Sequence, residues 1–169
     1  MFSYHEINLH LDEIALPKPL SEITGKLDDF KGYELNFLIK AEKYLFDHLE
    51  YESYKSKVIH CIGTCRFNLT QVGLYLLMED EIIFVHTSAL KLDEDNQQWS
   101  LNVYPFKEIV SFEFNDGCYS SDDYNSGVLF IRLKNKTGTV RSKTIRNINP
   151  NHFGCMRDFH EKMQENRYI

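Results

Sequence analysis

Six cations and no acidic residue lie between Arg132 and Arg146. This segment therefore carries a charge of +6, whereas the whole chain of 169 residues carries −6, so the other residues carry −12. Because a local positive field attracts carboxylates and phosphates, the segment is a candidate docking patch for an acidic protein surface. Two alternatives stay open: a site for phosphate or an anionic lipid headgroup, and a solvated face whose cations pair with acidic loops. The candidate residues are Arg132, Lys134, Lys136, Arg141, Lys143 and Arg146.

The charge of the whole molecule argues against a nucleic-acid partner. A net charge of −6 repels a long polyanion at distances beyond the Debye length, about 8 Å at physiological ionic strength. An acidic protein surface can still dock on the basic segment at short range, whereas a polyanion is not attracted from a long distance. We therefore expect no nucleic-acid partner, and we disfavour a membrane surface for the same reason.

His60, Cys61 and Cys65 have the composition of a metal-binding cluster but not its spacing. In an extended strand, positions 61 and 65 are about 13 Å apart, too far to hold one tetrahedral zinc ion without a sharp bend. His152 and Cys155 could share one face of a helix, yet a cysteine there is more often part of the core. We expect no metal site and no cofactor.

The sequence contains no motif typical of a catalytic site. A nucleophile elbow, a Gly-rich phosphate loop, His-Glu-x-x-His and Cys-x-x-Cys are all absent from it. Acidic pairs such as Glu79 and Glu81 lie in predicted turns, where charge is usually solvated. We expect no enzymatic activity, and a small enzyme of unrecognised type is the less favoured alternative.

Cysteine content and hydropathy predict a cytoplasmic location. Four cysteines are too few for a disulfide scaffold in a chain of this size, so we expect reduced thiols. No segment approaches the roughly 20 apolar residues of a membrane helix. Met1–Ile14 contains His5, Glu6, Asp12 and Glu13 where a secretory segment would be apolar.

Alternation of apolar and polar residues from Lys57 onward predicts about seven antiparallel strands. The basic segment falls on the last two, which form a hairpin around Asn135–Gly138. Polar loops are expected at Leu90–Gln98 and Asn115–Ser126. The predicted strands are Lys57–Phe67, Gly73–Met78, Glu81–Thr87, Trp99–Pro105, Ile109–Phe114, Gly127–Leu133 and Thr139–Arg146.

A terminal amphipathic helix follows the strands. Asn149 is suited to cap it, and Pro150 fits its first position. Its apolar stripe should close one end of a curled sheet. The stripe consists of Phe153, Met156, Phe159 and Met163.

The first 32 residues give weaker signals. Ile7, Leu9 and Leu11 alternate with polar residues, which predicts a short strand or an extended arm. A short helix capped by Ser21 should follow and stop at Gly32. Its apolar residues are Leu20, Ile23, Leu27 and Phe30.

From Glu34 to Tyr54 the pattern predicts an uninterrupted helix that is apolar on two sides. Leu35, Leu38, Ile39, Leu45, Phe46 and Leu49 form one stripe. The second stripe either packs within the same chain or forms an interface with another protomer or a partner protein. This candidate interface consists of Phe37, Tyr44, His48 and Tyr51, with Ala41 between them.

Two segments of the strand region follow a family pattern. One runs from Gly73–Leu77 through Glu79–Glu81 into Ile82–Val85, and the other is Tyr104–Phe112. The first segment resembles the second and third strands of bacterial pleckstrin-homology-like (PH-like) domains, which include the YokE-like group and the related GRAM domains. The second segment resembles the part of those domains that begins the next strand. The resemblance covers about residues 57–164 and implies a PH-like fold.

The same resemblance bears on lipid binding. In PH domains that bind phosphoinositides, the basic residues typically come from the loop between the first two strands. Here that loop is Asn68–Gln71, with only Arg66 nearby.

These observations predict an α+β, mainly β fold: a PH-like curled antiparallel sheet of about seven strands, capped by a C-terminal helix and preceded by an N-terminal helical prefix. Residues 1–56 form the arm and prefix, and residues 57–169 form the PH-like domain. We expect a noncatalytic interaction or assembly module in the cytoplasm, whose partner is another protein or a second copy of the chain. Binding of an anionic headgroup or phosphate through the basic hairpin, 132–146, is the alternative.

Overall fold

A computed structural model of the protein describes residues 4–23, 33–68, 70–88, 98–115 and 127–165. The described helices are α1 (Tyr4–Asp12), α2 (Leu20–Ile23), α3 (Tyr33–His48), α4 (Tyr51–Tyr54) and α5 (Phe153–Glu165), with 3-10 turns at Phe106–Glu108 and Pro150–His152. The described strands are β1 (Lys18–Pro19), β2 (Val58–Arg66), β3 (Gln71–Met78), β4 (Glu81–Ser88), β5 (Trp99–Pro105), β6 (Ile109–Asn115), β7 (Gly127–Lys134) and β8 (Val140–Ile148).

The seven long strands form one curled antiparallel sheet in the order β5-β4-β3-β2-β8-β7-β6. Their bounds lie within a few residues of the predicted ones, and those of β5 coincide with them. The sheet has two halves, β2–β5 and β6–β8, which join where Arg66 of β2 pairs with Arg146 of β8. This architecture, with a helix after the last strand, confirms the predicted fold class.

The inner core lies between the two halves of the sheet. Tyr75 and Phe84 from the first half and Ile131 and Ile145 from the second are all fully buried there. Met156 of α5 is fully buried in the same cluster, so α5 closes this end of the curled sheet as predicted.

The cap of the terminal helix is also confirmed. The Asn149 side chain accepts a hydrogen bond from the Asn151 N–H at 3.0 Å, and Pro150 occupies the first turn. An asparagine cap satisfies an N–H group that would otherwise have no partner in the first turn. The chain therefore turns from β8 into the 3-10 turn and α5 without a long loop.

A second core lies on the outer side of β2–β5 and is formed with the N-terminal helices. It contains Ile62, Leu74 and Val85 from the strands, packed against residues such as Leu20 and Leu38 from the helices. Because β3 and β4 are covered on both sides, they read as nearly continuous apolar runs. The N-terminal prefix is thus part of the packed interior of the molecule.

The prediction of a strand or arm at Ile7–Leu11 is wrong, because this segment is helix α1. Ile7 and Leu11 are buried, whereas Leu9 is 54% exposed. Residues four apart lie on one face of a helix as well as on one face of a strand, so the two apolar positions fit both periods. Packing against β2 decided between them.

Helix α1 contacts β2 at Thr64, between the positions where β2 pairs with β1 and with β8. The Asn8 side-chain oxygen accepts hydrogen bonds from the backbone N–H of Thr64 at 2.9 Å and from its hydroxyl at 3.0 Å. Strand β1 pairs with Val58 and Ile59 on β2. Buried backbone groups must find partners, and here a strand fragment and one helical side chain supply them.

The uninterrupted helix expected from Glu34 to Tyr54 is broken at Leu49 and Glu50, and this prediction is also wrong. The Leu49 N–H still donates to the Leu45 carbonyl at 2.8 Å, which ends the ladder of α3. Glu50 then leaves the helical conformation, with ψ of 84°, and its carbonyl accepts from the Ser53 and Tyr54 N–H groups to begin α4. Sequence periodicity cannot show such a break, because no glycine or proline marks it.

The helix expected after Ser21 is α2, which is described only over Leu20–Ile23, so Ser21 lies within the helix and the prediction that it caps the helix is wrong. Leu27, Phe30 and Gly32 lie outside the described residues. The predicted loop Leu90–Gln98 is described only at its last residue, and Asn115–Ser126 only at its first.

Candidate functional site

The basic segment forms the β7–β8 hairpin, and its tip is held by local hydrogen bonds. The Asn135 side-chain oxygen accepts from the backbone N–H groups of Thr137 at 3.1 Å and Thr139 at 2.8 Å. Gly138 has a φ of +87°, a conformation that side chains other than glycine rarely adopt. The tip therefore presents Lys136 on a turn of defined geometry.

Strand register divides four of these cations between the two faces of the hairpin. Arg132 lies opposite Ser142 and Lys134 opposite Val140, on the outer face. Residues opposite each other in a sheet project to the same side. Arg141 and Lys143 lie opposite Leu133 and Ile131, so both project toward the interior of the curled sheet.

That Arg141 and Lys143 share a face agrees with the prediction from their spacing. Lys136 is in the tip, and Arg146 is exposed beside Arg66 of β2. The cations therefore do not form one continuous patch: the hairpin carries positive charge on both of its faces.

The cations of the hairpin are accessible, and none of the described acidic residues pairs with them. Five of the six are exposed and Lys143 is half-buried. Within the described ranges, ion pairs form at other lysines and at histidines, and none involves a hairpin cation. The positive field is therefore not neutralised by the described acidic residues.

Facing Lys143, the inner side of the first half of the sheet becomes polar at its open end. His86 on β4 bridges Gln71 on β3 and Asn102 on β5, with Nδ1 3.1 Å from the Gln71 Oε1 and Nε2 2.9 Å from the Asn102 Nδ2. Because an amide nitrogen can only donate, the Nε2 accepts and the Nδ1 carries the proton. Burial lowers the pKa of His86, and the nearby Lys143 lowers it further, so the imidazole is neutral at pH 7.

A cleft of about 230 Å³ separates β5 from the hairpin. Lys134 and Arg141 line one wall, and Glu108 also reaches it, so the charged lining residues sum to +1. On the other wall the cleft touches four consecutive residues of β5. These are Leu101, Asn102, Val103 and Tyr104.

Sequence reasoning missed Gln71, His86 and Asn102. The signal available for them was parity: each is a polar residue on the same face of its strand as a buried aromatic residue two or four positions away. Asn102 precedes Tyr104, and His86 follows Phe84. That the three side chains meet could be known only from the strand register.

The candidate helix interface is largely internal, and for Phe37 the prediction is wrong. Phe37 is 2% exposed, and its ring packs 5.6 Å from that of Trp99 on β5. Tyr44 is half-buried against Trp99 and stacks on His48, which is exposed. Tyr51 is half-buried and packs edge-on against Phe46.

The physical reason for this correction is that the second apolar stripe covers β5 of its own chain. Packing within the chain was the alternative left open by the sequence. Whether Tyr44, His48 and Tyr51 also contact a partner stays a prediction.

His60, Cys61 and Cys65, which have the composition of a metal-binding cluster, have separate packing partners. Cys61 and Cys65 are buried in the inner core, where burial raises the pKa of each thiol, to about 12 for Cys61. The His60 ring packs against Phe159 of α5 at 4.6 Å. Within the described ranges, no three His, Cys, Asp or Glu side chains form a group able to hold a metal ion.

A second buried polar group links the two ends of the chain. The Tyr75 hydroxyl is hydrogen bonded to the Nδ1 of His152, whose Nε2 lies 3.9 Å from the Asp12 carboxylate. Asn149 also donates to Asp12, at 3.3 Å. This chain of contacts ties α1 and the start of α5 to β3.

No protein-family model matches the chain, and no curated protein matches it at a significant level. Of the helices in the described ranges, none combines the length and the hydropathy needed to cross a bilayer.

Proposed function

We propose that the protein is a noncatalytic interaction module of the PH-like type that binds an acidic protein partner through its β7–β8 hairpin. The observation that carries the proposal is the set of hairpin cations with no acidic partner among the described residues. A cation already paired within the fold gains little from a second acid, whereas an unpaired one gains a new charge-assisted contact.

Apolar side chains beside the cations support protein docking. Phe130 and Val140 are 39% and 42% exposed on the outer face of the hairpin, next to Arg132 and Lys134. Charge gives specificity and speed of association, while affinity comes mainly from buried apolar contacts. The outer face offers both, which favours a protein surface over a free ion.

The remainder of the chain, at −12, is itself an acidic surface. A second copy is therefore one form that the acidic partner can take. We place the module in the cytoplasm, since the thiols of Cys61, Cys65 and Cys155 are free.

The test compares two double variants by quantitative affinity purification from the native host. Arg132→Glu with Arg141→Glu reverses one cation on each face of the hairpin, and Arg157→Glu with Lys162→Glu makes the same charge change on α5. We expect the amount of each specific interactor recovered with the hairpin variant to fall at least about tenfold, and the amount recovered with the control variant to stay unchanged. If both variants retain all interactors, the hairpin is an ordinary solvated face and the proposal fails.

Two further measurements distinguish the alternatives. Light scattering detects self-association, which the hairpin variant should abolish if a second copy is the partner. Sedimentation with vesicles containing phosphatidylglycerol tests for an anionic headgroup. Hairpin-dependent sedimentation at physiological salt would replace a protein partner with a membrane surface.

A further inference from the structure

Among the residues that the structure describes, the backbone edge of β5 is open to the cleft beside the basic hairpin. Successive side chains of a strand project to opposite faces, and the cleft touches four consecutive residues of β5, so it extends along the edge of this strand. β5 is the last strand of the sheet order and pairs over its full length, Trp99–Pro105, with β4. On its other side, no strand of the described ranges pairs with it.

An open strand edge presents N–H and C=O groups that can pair with another extended chain. Natural sheets commonly protect such an edge with charged side chains, prolines or a covering loop. Here the wall facing the edge carries Lys134 and Arg141, and the lining residues of β5 itself are uncharged. The cleft therefore combines unpaired backbone groups on one side with positive charge on the other.

We propose that β5 binds an extended acidic segment of a partner protein as an additional strand, with the acidic side chains directed at the hairpin. This inference rests on the proposed function, because it names the form in which the acidic partner docks. Main-chain hydrogen bonds to β5 supply the affinity, and the cations select the side chains.

The spacing of the cations fits an extended ligand. Arg141 and Lys143 are two residues apart on one strand face, which separates them by about 6.6 Å. Acidic residues at alternate positions of an extended segment have the same separation. The repeat that the site would select is thus acidic at every second residue.

The charge of the cleft favours carboxylates over phosphate. Within the cleft, Lys134, Arg141 and Glu108 sum to +1, which matches one carboxylate of the segment, and Lys143, outside the cleft lining but on the same strand face as Arg141, matches a second. A phosphate monoester carries about −1.5 to −2 at pH 7 on a single group. Arg141 can bind a carboxylate through two parallel hydrogen bonds, and the neutral Asn102 and Tyr104 add polar groups without adding charge. An acidic peptide therefore fits better than a phosphorylated ligand.

The probe is an acetylated, amidated peptide of four Glu-Val repeats, titrated into the full-length ¹⁵N-labelled protein and followed by NMR. A second peptide has the same sequence with every residue N-methylated, and a third has Lys in place of Glu. We expect the first peptide to shift the amide signals of Leu101–Tyr104 and to slow their hydrogen exchange. The Lys peptide should not bind.

N-methylation of every residue removes the main-chain N–H donors from both edges of the peptide, so it cannot pair as a strand, while its charge is unchanged. We therefore expect at least about tenfold weaker binding of the N-methylated peptide. Lys134→Glu with Arg141→Glu should also weaken the Glu-Val peptide about tenfold, whereas Arg157→Glu with Lys162→Glu should leave its affinity unchanged. Far-UV circular dichroism verifies that both variants are folded.

Three outcomes would overturn the inference. If the N-methylated peptide binds as well as the first, attraction is electrostatic only, and the proposed function survives without strand addition. If the Glu-Val peptide fails to bind up to about 1 mM, β5 does not accept an acidic strand, although hairpin-dependent interactors would still support the proposed function. If phosphatidylglycerol vesicles perturb Leu101–Tyr104 while the peptide does not, the edge faces a membrane instead.

Discussion

His152 is held neutral inside the fold by its surroundings. Burial lowers its pKa from 6.5 to about 4, and its Nδ1 is hydrogen bonded to the hydroxyl of Tyr75, a phenol whose own pKa burial raises. In the unfolded chain the imidazole takes up a proton near pH 6.5. The folded state therefore gives up stability as the pH falls from about 6.5 to about 4, and it has the full contribution above that range.

We expect replacement of His152 by Gln, which keeps a polar contact with Tyr75 but does not titrate, to flatten this dependence. Between pH 7 and pH 4.5, the wild type should lose about 2 kcal/mol more unfolding free energy than the variant. Urea melts at several pH values measure the difference. Asp12 acts in the opposite sense, because burial raises its pKa, and it is present in both proteins. Equal pH slopes would show that the pKa of His152 is the same in the folded and the unfolded state.

At the scale of elements, α5 closes the inner core mainly through its first turns. Phe153 is 9% exposed and packs 4.5 Å from the Phe114 ring, and Gly127 leaves room for it, since any added side chain there would collide with Phe153. Phe159, two turns later, is only half-buried. The closing contacts are therefore concentrated where the helix begins.

Truncation of Phe153 to Ala should accordingly cost about 3–5 kcal/mol, because it leaves a cavity between α5, β6 and β7. Phe159→Ala provides the matched comparison, and we expect it to cost less than half as much. Urea unfolding followed by circular dichroism gives both values. A larger loss of unfolding free energy for Phe159→Ala than for Phe153→Ala would show that contacts near the end of α5 contribute more to closing the core.

At the scale of the whole molecule, the prefix of residues 1–56 shares a core with the sheet. Helix α1 buries Leu11, α3 buries Phe37, and both face strands of the β2–β5 half. Trp99, the single tryptophan, lies between α3 and the sheet and reports on this core. The chain should therefore unfold as one cooperative unit.

We expect Leu11→Ala to lower the unfolding free energy by about 2–5 kcal/mol, and Leu9→Ala, on the exposed side of the same helix, to change it by less than about 0.5 kcal/mol. Trp99 fluorescence and the circular dichroism of the strands should give coincident transitions for all three proteins. Separate transitions would mean that the N-terminal prefix and the sheet unfold independently.

Only part of the candidate site could be read from the sequence. The six hairpin cations follow from composition, and the common face of Arg141 and Lys143 follows from their spacing. The polar group of Gln71, His86 and Asn102 does not, because its members come from three strands whose alignment depends on turn lengths and bulges. The open edge of β5 is a property of the strand order alone.

The sequence by itself determined the features that depend on near neighbours: the alternation that makes the strands, the Asn149 cap, the glycine at the hairpin tip and the apolar stripe of α5. Tertiary structure decided the features that depend on distant partners. The Ile7–Leu11 segment satisfies both helical and extended periods, and contact with β2 selected the helix. The second stripe of α3 is apolar in either case, and only the position of Trp99 shows that it packs within the chain. Both cases follow from one cause: hydrophobic burial is non-directional, so a pattern shows that a face will be covered but not by what.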